Sequence, residues 1–206
     1  SGTGALLDEY IARGFQATGL DMSLENCQFA RLHPSKSTIL HADAHQMPFK
    51  GHQFDLTVTH YVLLWVRDPA RVIAEMARVT RPGGYVIAFA EPDYHSRIDY
   101  PEIFQKIGEI QNRSLAFQGV DLSMGRKLGH IFRSTGLKDV HLGLLAGQWG
   151  QPEKDDFNKE WEIIAYDLGE YLQIDEILAL KERALNTWLN GDSTIFIPTF
   201  YAFAMV

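Results

Sequence analysis

Gly2 and Gly4 alternate at the head of the chain, and an acid, Asp21, closes the apolar run that follows them. Glycines at that spacing let a backbone turn tightly and approach a ligand with no Cβ in between. A helical pattern from Ala5 to about Ala12 starts directly after the turn, so free N–H groups of its first turn are offered to a polar ligand. A strand-like run, Phe15 to Leu20, then carries Asp21 at its end, where a carboxylate can accept from both hydroxyls of a ribose. Glycine turn, helix, strand and terminal acid together make a nucleotide-binding unit. Asp21 has a plainer use as well, as a cap for the helix that follows it.

Other candidates cluster behind later strand-like runs. His60 follows Phe54–Thr59, with Tyr61 and Trp65 just after it, and Tyr94 follows Tyr85–Phe89. The carboxyl edge of an open α/β sheet is where such folds bind ligands. The bland alternatives are a hydrogen-bonded surface histidine and a packed, buried tyrosine. His41, His45, His52 and His95 have no metal-ligand spacing, and no metal site is read.

These side chains need a scaffold, and 206 residues fit one domain with insertions better than two. Acidic residues outnumber basic ones, 26 to 19, with no Lys or Arg cluster, which argues against a nucleic-acid surface. The single cysteine, Cys27, excludes an internal disulfide framework and a Cys-rich metal site. No apolar run reaches membrane-spanning length, and a reducing, cytoplasmic setting is the default expectation.

Ser23 is placed to cap a helix over Leu24–Arg31, Thr38–His41 reads as a short strand, and Asp68-Pro69 opens a helix whose apolar stripe is Val72, Ile73, Met76 and Val79. Arg81-Pro82-Gly83-Gly84 stops it before the strand Tyr85–Phe89. Strand and helix alternate, so the expected class is α/β with a parallel sheet and helices on both faces. Later segments depart from the alternation: a helix from Pro101 to about Phe117, another around Leu128–Thr135, a strand over Lys138–Leu145, mostly helix over Gln148–Asp192, and a closing strand, Thr199–Val206.

Four segments in order resemble a class I S-adenosylmethionine-dependent methyltransferase of the ubiquinone/menaquinone-biosynthesis type. They are the glycine turn with Asp21, the run Asp43-Ala44-His45-Gln46-Met47-Pro48-Phe49, the run Phe54-Asp55-Leu56-Thr57-Val58, and Arg81-Pro82-Gly83-Gly84 before a strand. The turn ends at Gly-x-Gly, as in that family; a nicotinamide fingerprint started at Gly2 would need a third glycine where Leu7 stands. The resemblance implies a Rossmann-like three-layer α/β/α fold with a mostly parallel sheet and an antiparallel last strand. It implies S-adenosyl-L-methionine as cofactor, with Gly2 and Gly4 near its methionine part, Asp21 on the ribose, Met22 against the adenine, Asp43 and the Ala44 backbone at the adenine amino group, and His60 beside the methionine part. Plain core packing is the other use for Met22, and a solvated turn the other use for Asp43.

The expected activity is methyl transfer to a small, apolar or aromatic acceptor, with no residue named as catalytic. Tyr61, Trp65, Tyr94 and Trp149 are the candidate acceptor pocket, and helical insertions at about 92–123 and 147–198 the candidate lid, unless their aromatics build only a core of their own. The rivals are a non-catalytic cofactor-binding or interaction module of the same fold and a nicotinamide-dependent oxidoreductase. In the resembling fold a strand preceding the glycine turn lies between Phe15–Leu20 and Phe54–Thr59. Residues 1–206 are therefore expected to be one domain whose first strand precedes Ser1.

Overall fold

A computed structural model describes residues 4–31, 38–145 and 154–206. Helix α1 (Ala5–Ala12) follows Gly4, whose left-handed φ of 89° suits a residue without a side chain; an added Cβ would also stand 3.2 Å from Ala30 Cβ. The helix stops where Gly14 turns left-handed, with Gly14 N–H donating to Ile11 O and Phe15 N–H to Tyr10 O. Phe15 then closes edge-on against Tyr10, the apolar contact that accompanies this stop. Strand β1 therefore starts at Thr18, not at Phe15, and runs to Asp21.

Ser23 Oγ accepts from Asn26 N–H at 3.2 Å and so caps α2 (Leu24–Arg31). β2 (Thr38–His41) pairs parallel with β1, and Cys27, Ala30 and Ile39 form a small core beneath them. β3 (Phe54–His60) leads through a 3-10 turn at Leu63–Trp65 to α3 (Pro69–Val79), where Asp68 accepts from Arg71 N–H and Pro69 occupies the first turn. β4 (Thr80–Pro92) returns parallel to β3. Gly84 sits where a Cβ would lie 2.6 Å from the Asp55 carbonyl, which is why the turn into this strand needs glycine.

After β4 come β5 (Ile98–Tyr100), α4 (Glu102–Phe117), α5 (Met124–Ser134), β6 (Lys138–Leu145), α6 (Lys154–Leu168), α7 (Ile174–Leu189), β7 (Thr194–Phe196) and β8 (Thr199–Met205). β8 inserts antiparallel between β4 and β6, giving the order β3-β4-β8-β6. The fold is thus the α/β, Rossmann-like one expected, with its last strand antiparallel. Val86, Ala88, Ala202 and Ala204 turn to the face covered by α3 and α5, and form the main core with Ile73, Met76, Leu128 and Phe132. Among the described residues β1 pairs only with β2 and β3 only with β4, so β1 and β3 share no ladder.

The segments outside the alternation pack on one another. β5 pairs antiparallel with β7, a short ladder that the sequence does not signal. Helices α4, α6 and α7 enclose Phe104, Ile107, Phe157, Trp161, Ile164, Leu168, Ile177 and Ala184 as a second core. Phe157 and Trp161 are 2% and 3% exposed, so these aromatics build the subdomain's own interior.

Candidate active site

β1 and β2 run in register, Asp21 opposite His41, and Ala42 N–H donates to Asp21 O at 3.0 Å. Both chains leave the same edge, so two carboxylates, Asp21 and Asp43, stand at neighbouring parallel strand ends. Each has a local hydrogen bond that fixes its direction. Asp21 Oδ1 accepts from Ser23 N–H at 2.8 Å, so the acid also helps the turn into α2. Asp43 Oδ1 accepts from the His45 backbone N–H at 2.9 Å and lies 2.7 Å from His45 Nδ1. Asp68 N–H reaches His45 Nε2 at 3.4 Å, which leaves the ring proton on Nδ1, facing Asp43. The bonds from the His45 backbone and ring hold the Asp43 carboxyl below the usual carboxylate range, so it is a ready acceptor at neutral pH.

A cleft of about 530 Å3 opens between these acids and the segment after β3. Asp21, Met22, Asp43, Ala44 and Trp65 all line it, with Val62 and Val66 adding apolar wall. Met22 is 72% exposed, so it is not core; its carbonyl is held by His41 Nε2 at 2.9 Å. Two acceptors at the polar rim and a methionine, a tryptophan and two valines around them match an adenosine: a ribose diol and an amino group to hydrogen-bond, a flat base to cover. The residues present therefore fit the adenosyl part of S-adenosylmethionine.

The ends of β3 and β4 make a second cluster. Tyr61 and Ala90 both have left-handed backbone, φ 55° and 53°, a cost that persists only where surrounding structure enforces it. Glu91, fully buried, accepts from the N–H groups of Val62, Leu63 and Leu64, and so caps the 3-10 turn. Burial raises its carboxyl, while those N–H donors oppose the rise. Tyr61 OH and Tyr94 OH are 2.6 Å apart, and burial raises both phenols. Tyr94 is 6% exposed and Tyr61 37%, so Tyr94 is buried and Tyr61 covers it from the more open side.

The second subdomain adjoins this carboxyl edge. Asn112 Nδ2 on α4 donates to Tyr94 O at 3.1 Å, Asp121 N–H donates to Leu64 O, and Gln111 Nε2 donates to the buried Asp167 of α6 at 2.9 Å. It does not pack at the opposite ends of the strands.

Of the residues named from sequence, five line the cleft, Tyr61 and Tyr94 bond to each other, and His60 is exposed at the end of β3. Gly4 caps α1, while Gly2 and Trp149 lie outside the described residues. Sequence reasoning missed His45, Arg67 and Asp68, which also line the cleft, and the buried Glu91 and Asp167. Only His45 left a signal, its position two residues after Asp43, where an Asx-turn donor sits.

Residues 1–88 match a family described as Methyltransferase domain. The demethylmenaquinone methyltransferase of Renibacterium salmoninarum is 30% identical over 118 residues, 55% of this chain and 50% of that protein. The malonyl-[acyl-carrier protein] O-methyltransferase of Pectobacterium atrosepticum is 30% identical over 134 residues, 64% of this chain and 53% of its own length. The chain thus spans about half the length of these curated relatives. A solved phosphoethanolamine N-methyltransferase 2 of Haemonchus contortus, in complex with S-adenosyl-L-methionine, superposes with a TM-score of 0.60 at 19% identity, over 100% of this chain and 46% of that one. At that identity the likeness is one of fold.

Proposed function

We propose that the chain carries a class I S-adenosylmethionine-dependent methyltransferase domain of the quinone-biosynthesis type and transfers methyl to a small, apolar or aromatic acceptor. The observation that carries this is the pair of carboxylates, Asp21 and Asp43, on one cleft at adjacent parallel strand ends, with Met22 exposed between them. Asp21 takes the ribose hydroxyls, Asp43 and the Ala44 backbone the adenine amino group, and Met22 a face of the base. Gly2, Gly4 and His60 take the methionine part. When bound, S-adenosylmethionine supplies an already activated methyl group on its sulfonium.

The chain's own task is then to hold an acceptor in line and keep water out. Orientation of that kind contributes roughly 7–11 kcal/mol. Tyr61 and Tyr94, with Trp149, form the acceptor side; Trp65, expected there too, lines the adenosyl cleft instead. The subdomain of α4, α6 and α7 acts as its lid, docked through Asn112 on Tyr94 O. A base is needed only for an acceptor that loses a proton. We further infer that residues 1–206 are one domain and that the protein works in the cytoplasm. No described helix is long and apolar enough to cross a membrane.

Titration calorimetry with S-adenosylmethionine, followed by turnover against phenolic, quinol, amine and carboxylate acceptors, tests the reading. Micromolar binding with transfer to a phenol or quinol is the expected result. Binding with no transfer to any acceptor would favour a binding module instead, and tight nicotinamide binding an oxidoreductase.

A further inference from the structure

Helix α3 presents an ion pair that does not stay within the helix. Arg78 grips Glu75 through two bonds, Nε to Oε1 and Nη2 to Oε2, each 2.8 Å. The pair then reaches the backbone of the loop that follows Asp43. Glu75 Oε2 accepts from Met47 N–H at 2.9 Å, while Arg78 donates from Nη2 to Met47 O at 3.0 Å and from Nη1 to Phe49 O at 2.9 Å. One turn earlier Arg71 Nε donates to His45 O at 3.1 Å, and Asp68 N–H meets His45 Nε2. Positions 68, 71, 75 and 78 lie on one helix face, as steps of three and four require. Together they bind the loop at His45, Met47 and Phe49, and His45 in turn sets the Asp43 carboxylate by ring and backbone.

A lone buried carboxylate and an exposed arginine fork at such positions usually make a modest stability contribution. Here Glu75 is 4% exposed, and its loop partner is the backbone N–H of Met47, whose side chain packs against the main core. The Arg78 guanidinium beside it holds the Glu75 carboxyl below the usual range, so the clamp is charged at neutral pH. Loops without regular structure otherwise move against the elements they join.

We propose that Glu75 and Arg78 are positioning residues for base recognition: they fix the loop so that Asp43, through His45, discriminates a 6-amino purine from a 6-oxo purine. The inference rests on the proposed adenosyl site and adds residues that touch neither the base nor the ribose. A carboxylate acceptor is matched to an exocyclic amino group and faces a carbonyl lone pair in the oxo base, so binding selectivity reads the loop's position directly.

The test compares affinities for S-adenosylhomocysteine and S-inosylhomocysteine by calorimetry, using the unmodified chain, Asp43→Ala, Glu75→Gln and Arg78→Lys. Arg78→Lys keeps the charge and loses the fork, so it folds even if Glu75→Gln does not. Wild type is expected to prefer the amino base by about tenfold or more, and both clamp variants to lose most of that preference. Circular dichroism and a melting curve on each variant separate this from unfolding, which weakens both ligands alike. If Asp43→Ala loses the preference and both folded clamp variants keep it, the clamp proposal fails and the adenosyl site stands. If Asp43→Ala keeps it too, both fail.

Discussion

Asp21→Ala lowers affinity for S-adenosylmethionine by roughly 1.5–3 kcal/mol, the loss of charge-assisted hydrogen bonds to the ribose, or about ten- to a hundredfold in Kd. The structure adds a complication that the strand-end position alone conceals. Asp21 Oδ1 accepts from Ser23 N–H, so the substitution also removes a turn bond ahead of α2 and costs about 0.5–1 kcal/mol of stability. Asp21→Asn separates the two effects, since its amide oxygen still accepts from Ser23 N–H while the charge is gone. Calorimetry and thermal melting on both variants give the answer. A variant Asp21→Asn that binds as wild type does, beside an Asp21→Ala that merely melts earlier, would show Asp21 to be a turn residue and leave the ribose without its acceptor.

Arg97→Met destabilises the subdomain of α4, α6 and α7, the proposed lid, by about 3–5 kcal/mol, because it strands a buried carboxylate. Arg97 and Asp99 side chains are 10% and 6% exposed and joined by Nε–Oδ2 at 2.5 Å and Nη2–Oδ1 at 3.2 Å. The same guanidinium donates to Gln111 Oε1 at 2.9 Å, and Gln111 continues to Asp167. Arg97 therefore ties β5, α4 and α6 into one unit over the carboxyl edge. Burial pushes the Asp99 carboxyl up, with Arg97 opposing it. A carboxyl raised in the folded state binds its proton more tightly there, so its contribution is fully present below the unfolded pKa and is lost as pH rises through the folded one. Removing Arg97 enlarges the rise, and the gap between wild type and variant is expected to widen from acid to neutral pH. Urea unfolding at several pH values measures the gap, and hydrogen exchange locates the loss in α4 and α6. A change below about 1 kcal/mol, flat in pH, would class the pair with surface ion pairs and detach it from lid integrity.

The aromatics of α6 show how far composition carries. Trp161 and Phe157 lie at helical spacing in a segment that also holds Ile164 and Leu168, a pattern equally suited to a pocket wall and to a core. The structure buries all four against α4 and α7. At the strand ends Tyr61 and Tyr94, the proposed acceptor side, bring their phenols 2.6 Å apart. That meeting joins residues just past the ends of two different strands, beside left-handed backbone at Tyr61 and Ala90 for which neither side chain is a signal.

Local chemistry determined what the sequence alone could reveal. Ser23 and Asp68 cap their helices, Gly84 sits where a Cβ is excluded, and Asp21 and Asp43 close the strands they follow, because capping, turning and period-two alternation act over a few residues. Tertiary structure decided the rest. The β5–β7 ladder joins segments far apart in the chain and too short to carry a period, and Glu91 finds its partners only when the turn after β3 folds back over the end of β4. The Glu75–Arg78 clamp looks, on its helix, like any charged pair three residues apart; its partners are backbone groups of a distant loop, and backbone groups carry no letter in a sequence.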